Sequence, residues 1–293
     1  MHTVFIALIC FLPYITAHHS TILHSKYRWL RLPATPKLPY PCIGKYATIN
    51  SLQIWYTICG PKDAEPILFL NGGLVTSDYG GFQVQELKSF YRCVWMDSRG
   101  QGRSFPVPTN ITYDLMMSDV IAFLNYLNIK RVHLVGWTDG AMIGLNLAMN
   151  HPNRLLSLFA FAANYVPSGL KDTSTSLVFN IFLERVQAEY GAINQASGYS
   201  NLLNILTVMW ATLPTWTQQD FQRISETLPI WIVDADHSEV NFRSQPNDMF
   251  SWIPQSSELI LPGTSHFAFM QDPVGFTTMV KRFLAEVHCP GCP

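Results

Sequence analysis

The strongest constraint on the fold lies in residues 132–150, which read VHLVGWTDGAMIGLNLAMN. A mostly apolar run ends at Val135, and apolar residues then recur with helical spacing after Gly140. The hydrophobic period therefore changes from that of a strand to that of a helix within a few residues. Gly136 and Gly140 stand two positions either side of Thr138, so the backbone can reverse there without Cβ clashes. The segment predicts a buried strand, a sharp turn with Thr138 at its tip, and a helix.

Strand-like and helix-like segments alternate on both sides of this turn. Apolar runs at 67–70, 92–96, 156–163 and 229–233 are typical of parallel strands that are buried on both faces. A hairpin precedes them, with its two-residue turn at Asn50-Ser51. The sequence therefore predicts an α/β fold, in which a mostly parallel central sheet carries helices on both faces.

The alternation stops between about 167 and 227, where helical, aromatic-rich sequence predicts a helical cap inserted between two strands. The length of 293 residues and 48% hydrophobic composition favour one domain over 18–293. Residues 1–17 contain an apolar segment that is too short to span a bilayer, followed by small residues. We interpret them as a secretory signal peptide, and the alternative is a short membrane-proximal or buried helix.

Secretion would allow the cysteines to form disulfides and one sequon to be glycosylated. Cys42 and Cys59 lie at equal distances from the predicted turn, so a hairpin would bring them face to face as a disulfide. Cys289 and Cys292 have the spacing of a redox motif, but no helix follows them, which favours a local disulfide in the tail. Asn110 begins the sequence Asn-Ile-Thr in a proline-rich loop and is a predicted glycosylation site.

The charge pattern narrows the class of partner. Nineteen basic and twenty acidic residues are mixed without runs of one sign, which argues against nucleic acid and, once the signal is removed, against a membrane surface. No motif for a metal or an organic cofactor is present. A small-molecule substrate or ligand is the expected partner, and the oligomeric state is not encoded in any pattern.

The turn at 136–140, Gly-Trp-Thr-Asp-Gly, resembles the nucleophile elbow of the α/β-hydrolase fold, usually Gly-x-Ser-x-Gly, and above all its Gly-Trp-Ser-Asp-Gly subgroup. The segment 97–104, Asp-Ser-Arg-Gly-Gln-Gly-Arg-Ser, is similar to another turn of this fold, in which Asp97 and Arg99 would hold neighbouring loops. The resemblance covers roughly 45–287. It implies that Thr138 occupies the position of the nucleophile.

The same resemblance implies the other members of the site. His266, after the last predicted strand, would be the base. Ser238 stands where the family has its orienting aspartate, and Glu239 is the adjacent candidate for that role. The backbone N–H groups of Gly73 and Asp139 would bind the oxyanion.

The resemblance leads us to expect a hydrolase of the carboxylic-ester type, without cofactor, acting on a small apolar substrate. Threonine for serine and serine for aspartate are two substitutions in one triad, so activity would be weak or absent. One alternative is a non-catalytic ligand-binding protein that keeps the pocket. Another is a cofactor-free lyase or cyclase that uses the same pocket.

Overall fold

The structure, a computed structural model, describes residues 26–194 and 198–288. The predicted signal peptide and the cysteines at 289 and 292 lie outside these residues. The eight strands are β1 Gly44–Ile49, β2 Leu52–Cys59, β3 Pro66–Leu70, β4 Arg92–Met96, β5 Val132–Trp137, β6 Leu155–Phe161, β7 Ile230–Ala235 and β8 Ser256–Leu261. The α-helices of the described residues are α1 Gly81–Leu87, α2 Tyr113–Tyr126, α3 Asp139–Asn150, α4 Leu177–Asn194, α5 Tyr199–Thr212, α6 Gln218–Phe221, α7 Ser244–Trp252, α8 Ala268–Gln271 and α9 Pro273–His288.

All eight strands form one sheet, in the order β1-β2-β4-β3-β5-β6-β7-β8. β1 and β2 pair antiparallel, β2 pairs antiparallel with β4, and every other neighbouring pair is parallel. The predicted fold class is therefore confirmed. β5 lies in the interior of the sheet between β3 and β6, and all of its residues are buried, so the turn that follows it is held on both sides.

The first hairpin has the predicted turn, since Ile49 pairs with Leu52 and the two intervening residues have positive φ. Its strands bring together Cys42 and Cys59, which form a disulfide with a Cα–Cα distance of 5.2 Å. Cys93 carries a free thiol and is buried opposite Cys59 in β4. The disulfide fixes the end of the irregular lead-in to the sheet.

The structure extends two predicted elements. The sequence pattern predicts a helix over 118–127, but helix α2 begins at Tyr113, because the Thr112 hydroxyl caps it by accepting a hydrogen bond from the Leu115 N–H at 3.2 Å. The pattern also predicts a last strand at 259–261, but β8 begins at Ser256, since its first three residues are polar and are not typical of a buried strand.

Helices α4, α5 and α6 lie between β6 and β7, in the region expected to form the cap. Within the described ranges, no helix combines the length and the apolar character needed to cross a membrane.

Candidate active site

The turn after β5 places Thr138 in a strained conformation. Its φ is 47° and its ψ is −112°, a region where a β-branched residue is disfavoured by about 1 to 3 kcal/mol. A Cβ at position 136 would lie 2.5 Å from the Ala141 nitrogen, and one at position 140 would lie 2.1 Å from the Leu70 carbonyl oxygen. Only glycine therefore fits on either side of the bend.

Backbone hydrogen bonds hold Thr138 at the carboxyl end of the sheet. Its N–H donates to the Phe161 carbonyl at 2.9 Å, and its own carbonyl accepts from the Met142 N–H at 2.9 Å. The hydroxyl makes no hydrogen bond to any residue in 26–194 or 198–288. The side chain is half-buried, so the hydroxyl stays available to a ligand.

The threonine methyl group packs directly against Gly72. A Cβ on Gly72 would lie 2.0 Å from Thr138 Cγ2, which is far inside van der Waals contact. Gly72 belongs to the loop after β3 that carries Gly73. A glycine in this loop is therefore what allows threonine to replace the smaller serine at the tip of the turn.

His266 is placed by contacts to its backbone. Its carbonyl accepts a hydrogen bond from Trp137 Nε1 at 3.0 Å, so the residue before Thr138 ties the histidine loop to the elbow. The imidazole is buried, 5.5 Å from the Trp137 ring between centroids. No hydrogen bond joins it to Thr138 among the described residues, and its Nδ1 has no partner there. Burial lowers the pKa of His266 to about 3, so at neutral pH the free imidazole is a neutral base.

Neither candidate for the orienting acid is hydrogen-bonded to the imidazole. The Glu239 carboxylate accepts from the His266 N–H at 2.9 Å and from the Ser265 hydroxyl at 3.2 Å, so it holds the backbone of the loop instead of the ring. Burial also raises the pKa of Glu239. The Ser238 hydroxyl accepts from the Asn241 N–H at 3.3 Å. The imidazole thus lacks the charged partner that would stabilise its protonated form.

A carboxyl group that sequence reasoning missed lies nearby, at the end of β7. Asp234 is buried, and burial raises its pKa to about 6 against hydrogen bonds from Ala235 and Asn241. In the sequence, this carboxyl group could have been recognised as an aspartate within an otherwise apolar strand. Asn241 links this carboxyl group to the position of the family's acid, because its Nδ2 donates to Asp234 Oδ2 and its N–H donates to the Ser238 hydroxyl, both at 3.3 Å.

The two expected oxyanion donors are both free. The N–H groups of Gly73 and Asp139 have no acceptor among the described residues, and Asp139 begins helix α3, whose dipole favours negative charge at this end. The loop that carries Gly73 is fixed because the Leu74 N–H donates to Gln101 Oε1 at 2.8 Å. Gln101 belongs to the turn at 97–104. That turn therefore supports the oxyanion loop.

The rest of that turn has the scaffold contacts expected of it. Asp97 is fully buried and accepts hydrogen bonds from the N–H groups of Ser77 at 2.7 Å and Arg103 at 2.8 Å. Arg99 forms a two-pronged ion pair with Asp119 at 2.6 and 2.7 Å. The Asp97 contact joins the turn to the segment after β3, and the Arg99 contact joins it to helix α2.

The Asp139 side chain links the turn after β5 to helix α5. Its Oδ1 accepts from the Tyr113 hydroxyl and from Trp210 Nε1, both at 3.0 Å, whereas its buried Oδ2 has no partner among the described residues. Burial raises the pKa of Asp139 to about 6, opposed by the hydrogen bonds from Trp210 and Tyr113. The Trp210 indole also covers Gly73, since a Cβ there would lie 2.3 Å from Trp210 Cζ2. Neither Tyr113 nor this role of Asp139 was visible in the sequence.

No group of three or more His, Cys, Asp or Glu side chains suited to hold a metal ion is found within the described part of the chain.

Comparisons with known proteins agree with this architecture. Residues 65–186 match the family model of the alpha/beta hydrolase fold. The crystal structure of the enol-lactonase from Burkholderia xenovorans LB400 superposes with a TM-score of 0.67 and 19% identity, covering 83% of this chain and 100% of that one. The chain has the α/β-hydrolase fold.

Two curated relatives match over shorter stretches. A protein named as a carbamate hydrolase, RutD, from Caulobacter sp. (strain K31) is 38% identical over 98 residues, which is 33% of this chain and 37% of the relative. The 3-oxoadipate enol-lactonase 1 of Acinetobacter baylyi is 37% identical over 103 residues, 34% of this chain and 38% of the relative. The chain thus spans less than two fifths of the length of these two relatives.

The contact between Gly72 and the threonine methyl predicts a coupling. Gly72→Ala should destabilise the protein by about 1 to 3 kcal/mol through overpacking, and combining it with Thr138→Ser should remove most of that loss because serine has no methyl group. Urea unfolding of the single and double variants measures this. Strictly additive effects would contradict the contact.

The burial of His266 predicts a pH dependence of stability. Between its ordinary pKa of about 6.5 and its folded pKa of about 3, the unfolded chain binds a proton that the folded chain does not. The stability due to neutral His266 is therefore complete above about pH 6.5 and falls by up to about 1.4 kcal/mol per pH unit below it.

The difference in free energy of unfolding between the wild type and His266→Gln isolates this effect, because the opposite contributions of Asp139 and Asp234 are common to both proteins. The difference should shrink steadily from pH 6.5 to pH 5. A constant difference over that range would show that His266 is not buried in its neutral form.

Proposed function

We propose that this protein is a secreted hydrolase of the carboxylic-ester type, acting on a small apolar substrate through a substituted triad. The observation that carries the proposal is the bend at Thr138, which displays a free hydroxyl beside two free backbone N–H groups at the carboxyl end of the sheet. A hydroxyl and two converging donors are what attack on a carbonyl group requires.

In the proposed reaction, the Thr138 hydroxyl attacks the carbonyl carbon while its proton passes to His266. The N–H groups of Gly73 and Asp139 bind the negative oxygen of the tetrahedral intermediate. The intermediate collapses to an acyl-threonine as His266 returns the proton to the leaving alkoxide. Water, deprotonated by His266, then releases the acid and restores the hydroxyl.

The reaction is expected to be slow because no charged group meets the imidazole. Ser238, at the position of the family's acid, accepts from the Asn241 N–H and not from the ring, and Glu239 acts only through the loop that carries His266. A neutral group in place of the aspartate of a serine protease lowers turnover by about four orders of magnitude. Attack on a carbonyl group is also what the names of the relatives imply, since a carbamate and an enol-lactone both contain one.

Secretion and glycosylation belong to the same proposal. The Cys42–Cys59 disulfide is favoured by an oxidising compartment, to which residues 1–17 would direct the chain. Asn110 is exposed in the loop before α2, as a glycosylated side chain must be.

A second candidate function is non-catalytic binding of a small ligand. It is favoured by the unpartnered Nδ1 of His266 and by the Trp210 indole over Gly73, because both suit a pocket that holds a molecule without turning it over. A cofactor-free lyase or cyclase that uses the same pocket is a further alternative.

Restoring the triad separates these functions. Thr138→Ser and Ser238→Asp should each raise the hydrolysis of p-nitrophenyl esters slightly, and the double variant should exceed either one on the order of 10² to 10⁴-fold, because triad members act as a unit. His266→Gln in the double variant is the control and should abolish the gain. If the wild type, the two single variants and the double variant are equally inactive, the pocket is not built for acyl transfer.

A further inference from the structure

The Trp210 indole is fixed between the elbow and the oxyanion loop. Its Nε1 donates to Asp139 Oδ1 at 3.0 Å, which sets the rotation of the ring. With this rotation the outer edge of the ring faces Gly73, where Cζ2 and Cη2 lie 2.3 and 3.0 Å from the site of a Cβ. The cap helix α5 therefore places an aromatic edge in contact with a residue expected to bind the oxyanion.

The Asp139 end of this contact is rigid as well. Tyr113 donates to the same carboxylate oxygen at 3.0 Å and is buried. Helix α2 and helix α5 are thus both hydrogen-bonded to the same oxygen atom of Asp139. Rotating the indole away from Gly73 would break its hydrogen bond to a buried carboxyl group, which opposes such a movement.

Because the indole edge lies against Gly73, a carbonyl oxygen bound between the N–H groups of Gly73 and Asp139 would have its substituents close to this ring. We propose that Trp210 is a specificity-determining residue, which limits the length of the apolar group that the site accepts beside the bound carbonyl. The proposal rests on the proposed function only in its use of these two N–H groups as the carbonyl site. The expected substrate is a short-chain, uncharged acyl compound.

Binding of aliphatic primary amides tests the proposal without turnover. Butanamide, hexanamide and octanamide present the same carbonyl group, carry no charge to interact with Asp139, and differ only in chain length. Isothermal titration of each amide into the wild type, Trp210→Ala, Trp210→Phe and Val208→Ala gives the dependence of affinity on length. Val208 lies on the same helix and is exposed, so it is the matched control.

The wild type and Val208→Ala should gain no affinity from butanamide to octanamide. Trp210→Ala should gain at least about tenfold, because each newly buried methylene is worth about fourfold in affinity. Trp210→Phe, which keeps a ring but loses the N–H group and the outer edge, should fall between them. Circular dichroism and thermal unfolding establish that the variants are folded, and the phenylalanine variant is the milder change.

The same dependence on chain length in all four proteins would overturn the proposal, as would a gain in Val208→Ala equal to that in Trp210→Ala, or no amide binding to any of the proteins. Hydrolysis of p-nitrophenyl butanoate and octanoate is measured alongside. A shift in amide binding without ester turnover would reject the hydrolase and keep the role of Trp210. Ester turnover without any shift in length preference would keep the hydrolase and reject the role of Trp210.

Discussion

The site depends on one backbone constraint, which is the positive φ of Thr138 between an interior strand and a buried helix. The bend exists only because positions 136 and 140 carry no Cβ, and it admits a threonine only because position 72 carries none. With this geometry in place, the hydroxyl and the first N–H of α3 point out of the carboxyl edge of the sheet. The ring of Trp137 then fixes the loop of His266 by a hydrogen bond to its carbonyl.

This site differs from a complete triad because its imidazole is buried without an opposite charge beside it. Burial lowers the pKa of His266 to about 3 and raises the pKa values of Asp139 and Asp234 to about 6. Each nearby carboxyl group is engaged elsewhere: Asp139 with Trp210, Asp234 with Asn241, and Glu239 with the His266 backbone. A proton taken up by His266 therefore meets no opposite charge at Nδ1, which is the physical reason to expect slow chemistry.

The sequence predicted those features that a local pattern encodes. The elbow, the mostly parallel sheet and the first hairpin each follow from hydrophobic period and turn residues, and the pairing of Cys42 with Cys59 follows from the hairpin. The contacts of the site are not encoded in this way. Tyr113 and Trp210 reach Asp139 across separations of 26 and 71 residues, and only the packed fold brings them to one carboxylate.

The contacts of the two candidates for the orienting group could not be predicted from the sequence either. Alignment to the family places Ser238 in the position of the acid, but the hydrogen bonds of a loop depend on how its backbone turns. Here the turn directs Glu239 to the His266 N–H, and the Ser238 hydroxyl accepts from the Asn241 N–H. The identity of a residue can be read from a motif, whereas the direction of its side chain cannot.

In the proposed reaction, the bend holds an active Thr138 hydroxyl next to a neutral His266. Treatment of the purified protein with a fluorophosphonate, followed by mass spectrometry of its peptides, tests this claim most directly. The account predicts one adduct, on Thr138, which forms more slowly in His266→Gln. A protein that remains unlabelled, or that is labelled at another residue, would contradict it.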